Sequence, residues 1–282
     1  MSFIGTSMIF DGIACEEMGL YLYDFDSHKQ SETNFTSNLA IIEDRIGGRY
    51  RSLFYGGSVN EPLTFTMVLC ANEDRAYRNE PFDRWDLQKI ASWLTGHNSY
   101  KWLQIVQPDL EDVRFRCIIS ELEAVEVVGN KWGFSCTVTC DSPFGYLLPR
   151  SYEFPVDGSQ TCEIFSESSY NGLYYPKLII DQSGNSTISI KISNDSETSV
   201  FEFTKLPTSI GAMVIDCENG VIHNGTLVGN DIAVEGDLNP YEYITYNNSF
   251  HFPRLARGKN TIELTGTATY RFICEWPVNV GG

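Results

Sequence analysis

Apolar and polar residues alternate with period two along most of this chain. Phe115, Cys117 and Ile119 alternate with Arg114, Arg116 and Ile118, and Phe134, Cys136, Val138 and Cys140 with Ser135, Thr137 and Thr139. Ile188, Ile190 and Ile192 share one parity, as do Met213, Ile215 and Cys217, and Tyr270, Phe272 and Cys274; Phe201 and Phe203 flank Glu202. Such alternation predicts antiparallel sheets with one packed and one wet face. Turn signals divide the runs: Asp157-Gly158, Ser183-Gly184-Asn185, Glu218-Asn219-Gly220, Asn224-Gly225, Gly236-Asp237 and Arg257-Gly258-Lys259-Asn260.

One segment reads as a helix. Asp83 is placed to cap it, and Leu87, Ile90, Ala91 and Leu94 recur at helical spacing. Gly96 is the expected C′ stop. Trp85 and Trp93 flank the stripe, so Leu87, Ile90, Ala91, Trp93 and Leu94 form the candidate face that packs the helix on a sheet. An aromatic stripe of this kind is core rather than a cofactor box.

The helix and the tryptophans at 85, 93, 102 and 132 all precede residue 148. Residues 160–282 read as short strands joined by Asn/Gly/Ser turns, a β-sandwich or jelly roll. The stretch 141–150, with two prolines and no strong alternation, is the expected join. A length of 282 residues suits about two domains. The expectation is a mainly β chain with domains 1–148, which holds the helix, and 149–282. No internal repeat or low-complexity tract is visible.

Composition narrows the function. With 42% hydrophobic residues there is ample core material, which excludes disorder for most of the chain. The net charge is −17; residues 1–148 hold 12 basic and 21 acidic groups, residues 149–282 hold 8 and 16. Neither part is a basic domain able to hold a phosphate backbone. The longest apolar run, Met67 to Ala71, is far below the roughly 20 residues that span a bilayer. The start, Met1 to Asp11, lacks a basic n-region and does not read as a secretory leader, so the expected site of synthesis is a cytoplasm, where the protein stays or is assembled into something larger, without membrane insertion.

Cysteines lie at 15, 70, 117, 136, 140, 162, 217 and 274, with no C-x-x-C pair and no zinc-module spacing. Cys136 and Cys140 lie about 13 Å apart along a strand, beyond the roughly 7 Å a disulfide tolerates. Buried free thiols are the better reading. The histidines at 28, 97, 223 and 251 are scattered. No nucleophile elbow, phosphate loop, dinucleotide fingerprint or zinc-protease motif occurs. Paired acids such as Glu121 and Glu123 are plentiful, but they read as solvated strand surface, and a glycosidase pair about 5–9.5 Å apart is not identifiable. Asp181, Asn185 and Asp231 lack the order of a calcium loop. The acceptor patterns at Asn34, Asn185, Asn194 and Asn224 read as polar turns. No catalytic, cofactor or metal residue is nominated.

The order of features resembles the distal tail protein (Dit) family of long-tailed bacteriophages. The opening Ser7-Met-Ile-Phe-Asp-Gly-Ile-Ala-Cys-Glu-Glu-Met-Gly19 is followed by Ile46-Gly-Gly-Arg-Tyr50 and Tyr55-Gly-Gly57, then the strand Leu63 to Leu69. Ile90-Ala-Ser-Trp-Leu94 is similar to the family's helix end, and Tyr100 to Val106 and Phe115 to Ile119 to its next strands. Gly133 to Tyr146 resembles the closing strand of the first domain. Asn171-Gly, Pro176 to Ile180, Ile188 to Asn194, Met213 to Asp216 and Gly258 to Ile262 continue the pattern.

The resemblance implies structural work. Family members form a ring, typically of six subunits, at the distal end of the tail tube. Here residues 1–148, a β-sandwich with one helix, would build the ring and 149–282 would form an outer galectin-like or jelly-roll β-sandwich. One ring face would meet the tail tube protein and the other the tail hub protein, with receptor-binding proteins attached outside. The segment around 24–60 would be an inter-subunit belt, with Ile46, Tyr50 and Tyr55 as candidate contacts. DNA would pass through without specific binding, which an acidic chain permits. The location would be the virion tail. Two other classes compete: a carbohydrate-binding module, for which Tyr170, Tyr174, Tyr175, Tyr241, Tyr243, Tyr246 and Trp276 supply aromatics, with Tyr241 and Tyr243 read on one strand face, and a β-sandwich hydrolase.

Overall fold

The computed structural model describes residues 7–23, 39–59, 61–184, 186–195 and 197–280. The chain divides into two compact units, Met1–Leu147 with Asn279–Gly282, and Leu148–Val278. Both are built of antiparallel strands, and the protein is mainly β.

In the first unit, the sheet runs Ile13–Ala14, Ser7–Phe10, Lys101–Val106, Val113–Val127, Asn130–Cys140, Thr64–Ala71, Leu20–Leu22. Period-two parity explains its packing. Phe115, Cys117 and Ile119 lie inside, as do Phe134, Cys136, Val138 and Cys140. The parity is reset by a bulge between Ile119 and Glu121, after which Leu122 faces Cys136. Val113–Val127 turns into Asn130–Cys140 through Val128 (φ 52°) and Gly129 (φ 76°). A two-residue hairpin of that hand needs positive φ at both positions, so a β-branched residue occupies a place suited to asparagine.

The helix covers Arg84–Thr95. Asp83 accepts from Trp85 N–H and Asp86 N–H at 2.8 Å, and Asp86 accepts the Asp83 N–H in return at 3.3 Å. Ile90, Trp93 and Leu94 are buried, while Leu87 and Ala91 are half-buried. Trp93 meets Phe10 edge-on at 6.2 Å and donates its indole N–H to the Phe10 carbonyl at 3.1 Å. Trp85 is 75% exposed, so the two tryptophans do not flank the stripe alike. Gly96 stops the helix at φ −72°, not in the left-handed form expected of a C′ glycine; a Cβ there would lie 2.3 Å from the Ser92 carbonyl oxygen. A second helix, Glu73–Arg78, is too short for a periodic signal and buries no residue. Asn72 caps it and Asn79 (φ 54°) ends it.

In the second unit, two 17-residue strands, Arg150–Ser166 and Gly258–Cys274, pair along their whole length. On its other edge Gly258–Cys274 pairs first with Ser186–Ser193 and then with Lys177–Gln182. The change of partner falls at Gly266 (φ 125°), which lies opposite Gly158 (φ 98°). Asp157-Gly158 is therefore a bend inside a ladder, not a turn. Glycine at both places lets the paired strands swing from one neighbour to the next. Beyond Lys177–Gln182 follow Ala212–Asp216, Val221–Val228 and Asp231–Glu235; Thr198–Leu206 adds to Ser186–Ser193.

Asn224-Gly225 also lies within a strand, Val221–Val228. Gly225 has φ 140°, and a Cβ there would sit 2.0 Å from the Val234 carbonyl oxygen. Tyr241 and Tyr243 share no strand face, because Pro240–Tyr243 is a 3-10 turn with Asn239 as cap. The Tyr241 hydroxyl instead accepts from Ile222 N–H at 2.8 Å and donates to the Gly220 carbonyl at 3.0 Å.

Candidate assembly surface

The candidate surface is a hairpin in the first unit. Leu39–Asp44 pairs with Leu53–Val59 as a two-stranded sheet, joined by no other strand among the described residues. The turn between them holds Ile46-Gly-Gly-Arg-Tyr50, where Arg49 N–H reaches the Ile46 carbonyl at 3.2 Å. Gly48, at φ 87°, supplies the left-handed step. Ser52 donates to Glu43 across the ladder at 2.6 Å. Ile42 faces Gly56 while Glu43 faces Phe54, so Tyr55 is the extra residue of a bulge.

The hairpin carries large apolar side chains into solvent. Ile46, Tyr50 and Tyr55 are 47%, 90% and 63% exposed. Ile41, Ile42 and Phe54 are 61%, 52% and 66% exposed. These three were not singled out from the sequence; the doublet Ile41-Ile42 and the run Leu53-Phe54-Tyr55 were the available signal. Arg45, Arg49 and Arg51 outnumber Glu43 and Asp44 here, in a chain of net charge −17. The Arg51 guanidinium lies 5.1 Å from the Tyr50 ring centre. A lone two-stranded hairpin is marginal in water, and a cluster of exposed apolar side chains marks an interaction surface. Residues 24–38 of the expected belt lie outside the described residues.

A second surface is the wet face of the central strands. Thr64 and Thr66 lie beside Thr139 and Thr137, and Glu121 and Glu123 beside Thr137 and Ser135. Thr137 donates to Glu121 at 3.1 Å, and Ser120 and Thr139 hydroxyls meet at 3.2 Å. Between Ile118 and Val127 there is no lysine or arginine. This is the solvated strand surface expected for the Glu121 and Glu123 pair.

Among the described residues, no group of three or more His, Cys, Asp or Glu is placed to hold a metal ion. None of the eight cysteines, all among the described residues, is in a disulfide; Cys162 is half-buried and the others are buried. Burial pushes the Cys117 and Cys136 thiols up to about 12 and that of Cys162 to about 11. A cleft of about 270 Å³ lies beside the helix, lined by Glu16, Glu17, Arg75, Asp86 and Lys89 among others; Arg75 is committed there to Asp86 at 2.8 Å. Of the aromatics considered for glycan binding, Trp276 is fully buried against Tyr174 at 4.7 Å. Tyr170, Tyr241 and Tyr246 are exposed. No described helix is long and apolar enough to cross a membrane.

Residues 3–142 match a family model described as a phage tail protein N-terminal domain, DUF6558. Among solved structures, the chain resembles the Dit protein of phage SPP1, described as a paradigm of the hub adsorption apparatus in phages infecting Gram-positive hosts. The TM-score is 0.61 at 10% identity, covering 96% of this chain and 98% of that one. A Cry1Da tryptic core variant from Bacillus thuringiensis scores 0.22 at 10% identity, with 99% and 52% covered, and carries no argument. No curated protein sequence matches. The N-terminal part of this chain thus matches a phage tail protein family, and the chain as a whole has the fold of a distal tail protein.

Proposed function

We propose that this protein forms a ring, of six copies, joining the distal end of the tail tube to the tail hub and the receptor-binding apparatus. Residues 1–148 build the ring, and 149–282 form an outer galectin-like domain. Assembly takes place in the host cytoplasm, before the tail is complete. The observation that carries this reading is the hairpin: Ile41, Ile42, Phe54 and Tyr55 on its strands and Ile46 and Tyr50 in its turn are exposed, and the strands lack a further partner strand among the described residues. Burying such side chains on a neighbour is worth roughly 1.5–3 kcal/mol each at full burial, enough over several residues to favour association. The hydroxyl and carboxylate face around Thr137, Glu121 and Glu123 suits a bore wall that does not hold DNA, since phosphate binding needs lysine and arginine.

Light scattering of the full chain over a range of concentrations tests the ring. The expected mass is six times 31.8 kDa. In the triple variant Ile42→Ser, Tyr50→Ser, Tyr55→Ser, the mass should fall to that of the monomer while the melting temperature of the monomer stays close to wild type. A chain that stays monomeric even with tail-tube and hub proteins present would reject the reading. The glycan-binding alternative is weakened by the full burial of Trp276, with Tyr174 half-buried against it.

A further inference from the structure

We propose that Cys117 and Cys140 form a disulfide when the protein meets an oxidising medium, stapling the base of the long hairpin Val113–Cys140. The strand register places the two residues directly opposite each other. The hydrogen bonds on either side fix the type of pair. Asp141 N–H donates to the Arg116 carbonyl at 2.9 Å, whereas Cys140 N–H turns away, to the Leu63 carbonyl at 2.9 Å. Arg116 and Asp141 are thus a hydrogen-bonded pair, and Cys117 and Cys140, one step along, are a non-hydrogen-bonded pair. In such pairs the Cα atoms approach to about 4.5 Å, within the range a disulfide requires.

No other register pair among the described residues joins two cysteines. Cys136 faces Met67 and Leu122, Cys70 faces Tyr21 and Gly133, Cys162 faces Ile262, and Cys274 faces Arg150. The staple is therefore selective by topology, and the bond closes no contact that the fold has not already made.

The chemistry needs an external oxidant, here a small-molecule disulfide. The thiolate of one cysteine attacks the small disulfide, forming a mixed disulfide and releasing one small thiolate. The second cysteine thiolate then attacks the protein sulfur of the mixed disulfide and expels the other small thiolate. Two cysteine thiols are oxidised, one external S–S bond is reduced, and the two thiol protons end on the two released small thiols. Both cysteines are fully buried. Burial holds both thiols well above their ordinary range, so attack waits on transient opening of the hairpin. The bond forms slowly and, once formed, is shielded from reductant.

The test uses the full chain, purified reduced and then incubated with oxidised glutathione a few degrees below its melting temperature. Capping of Cys162, the half-buried thiol, reports that the oxidant has acted. Remaining thiols are alkylated, and the unreduced protein is cut by trypsin, then by thermolysin, which cleaves before Val138 and so separates Cys136 from Cys140. The expected product is one cross-linked peptide pair, Cys117 with Cys140, lighter by two hydrogens than its reduced form. Cys136→Ala should retain it and Cys140→Ala should abolish it. A link through Cys136, or no link once Cys162 is fully capped, would overturn the proposal.

Discussion

Asn260 shows how one polar side chain can hold a corner of the fold. It is fully buried, yet every direction it faces has a partner. Its Oδ1 accepts from Ala256 N–H at 2.8 Å and from the Asn194 amide at 3.2 Å; its Nδ2 donates to the carbonyls of Ala256 at 2.9 Å and Gly258 at 3.1 Å. Asn260→Asp keeps the shape but removes the donor and buries a charge, so a loss of about 3 kcal/mol or more is expected in denaturant unfolding. Val128 works in the opposite sense. Its φ of 52° costs roughly 1–2 kcal/mol for a residue of this type. Val128→Asn should raise the melting temperature without altering association. Asp86 carries a pH dependence. Partial burial pushes its carboxyl up, but the Arg75 guanidinium and the Asp83 N–H outweigh this and hold it below the usual carboxylate range. A group depressed on folding stabilises at neutral pH, and that contribution is lost as pH falls through the folded value. Melts from neutral to acid pH should therefore fall more steeply for wild type than for Asp86→Asn.

At the scale of elements, the strands were legible because their parity survives in the core. Ile188, Ile190 and Ile192 are buried together, as are Met213, Ile215 and Cys217. The helix and its Asp83 cap were legible for the same reason: local spacing and local hydrogen bonds decide both. Glycines misled the reading. Asp157-Gly158 and Asn224-Gly225 look like turns, yet one pair bends a ladder and the other lets two strands come close. Gly158→Ala and Gly266→Ala should each cost about 1–2 kcal/mol, seen as a lower denaturant midpoint at unchanged slope. Tyr241 and Tyr243 misled it too, since Pro240 and the Asn239 cap favour a 3-10 turn over alternation.

At the scale of the whole molecule, the hairpin has no counterpart within the described chain, and its arginines contrast with a net charge of −17. If an acidic neighbour of the same kind receives it, the charge reversal Arg45→Glu, Arg49→Glu, Arg51→Glu should slow self-association. The difference from wild type should shrink between about 0.1 M and 1 M salt, as the screening length falls from roughly 10 Å to 3 Å. Time-resolved light scattering at the two salt concentrations measures it.

The sequence by itself determined the β class, the packed parity of most strands, the capped helix and its stripe, and the polar Gly- and Arg-containing stretch later seen as a hairpin. Each follows from interactions between residues close in the chain or from a side chain's preference for water. What only the tertiary structure decided depends on which distant strands lie side by side. It decided that Gly158 meets Gly266, that Cys117 meets Cys140, that Trp276 is sealed from solvent, and that Ile41, Ile42 and Phe54 find no cover among the described residues. Alternation says which way a side chain points but not what it meets, because register is fixed by partners many residues away.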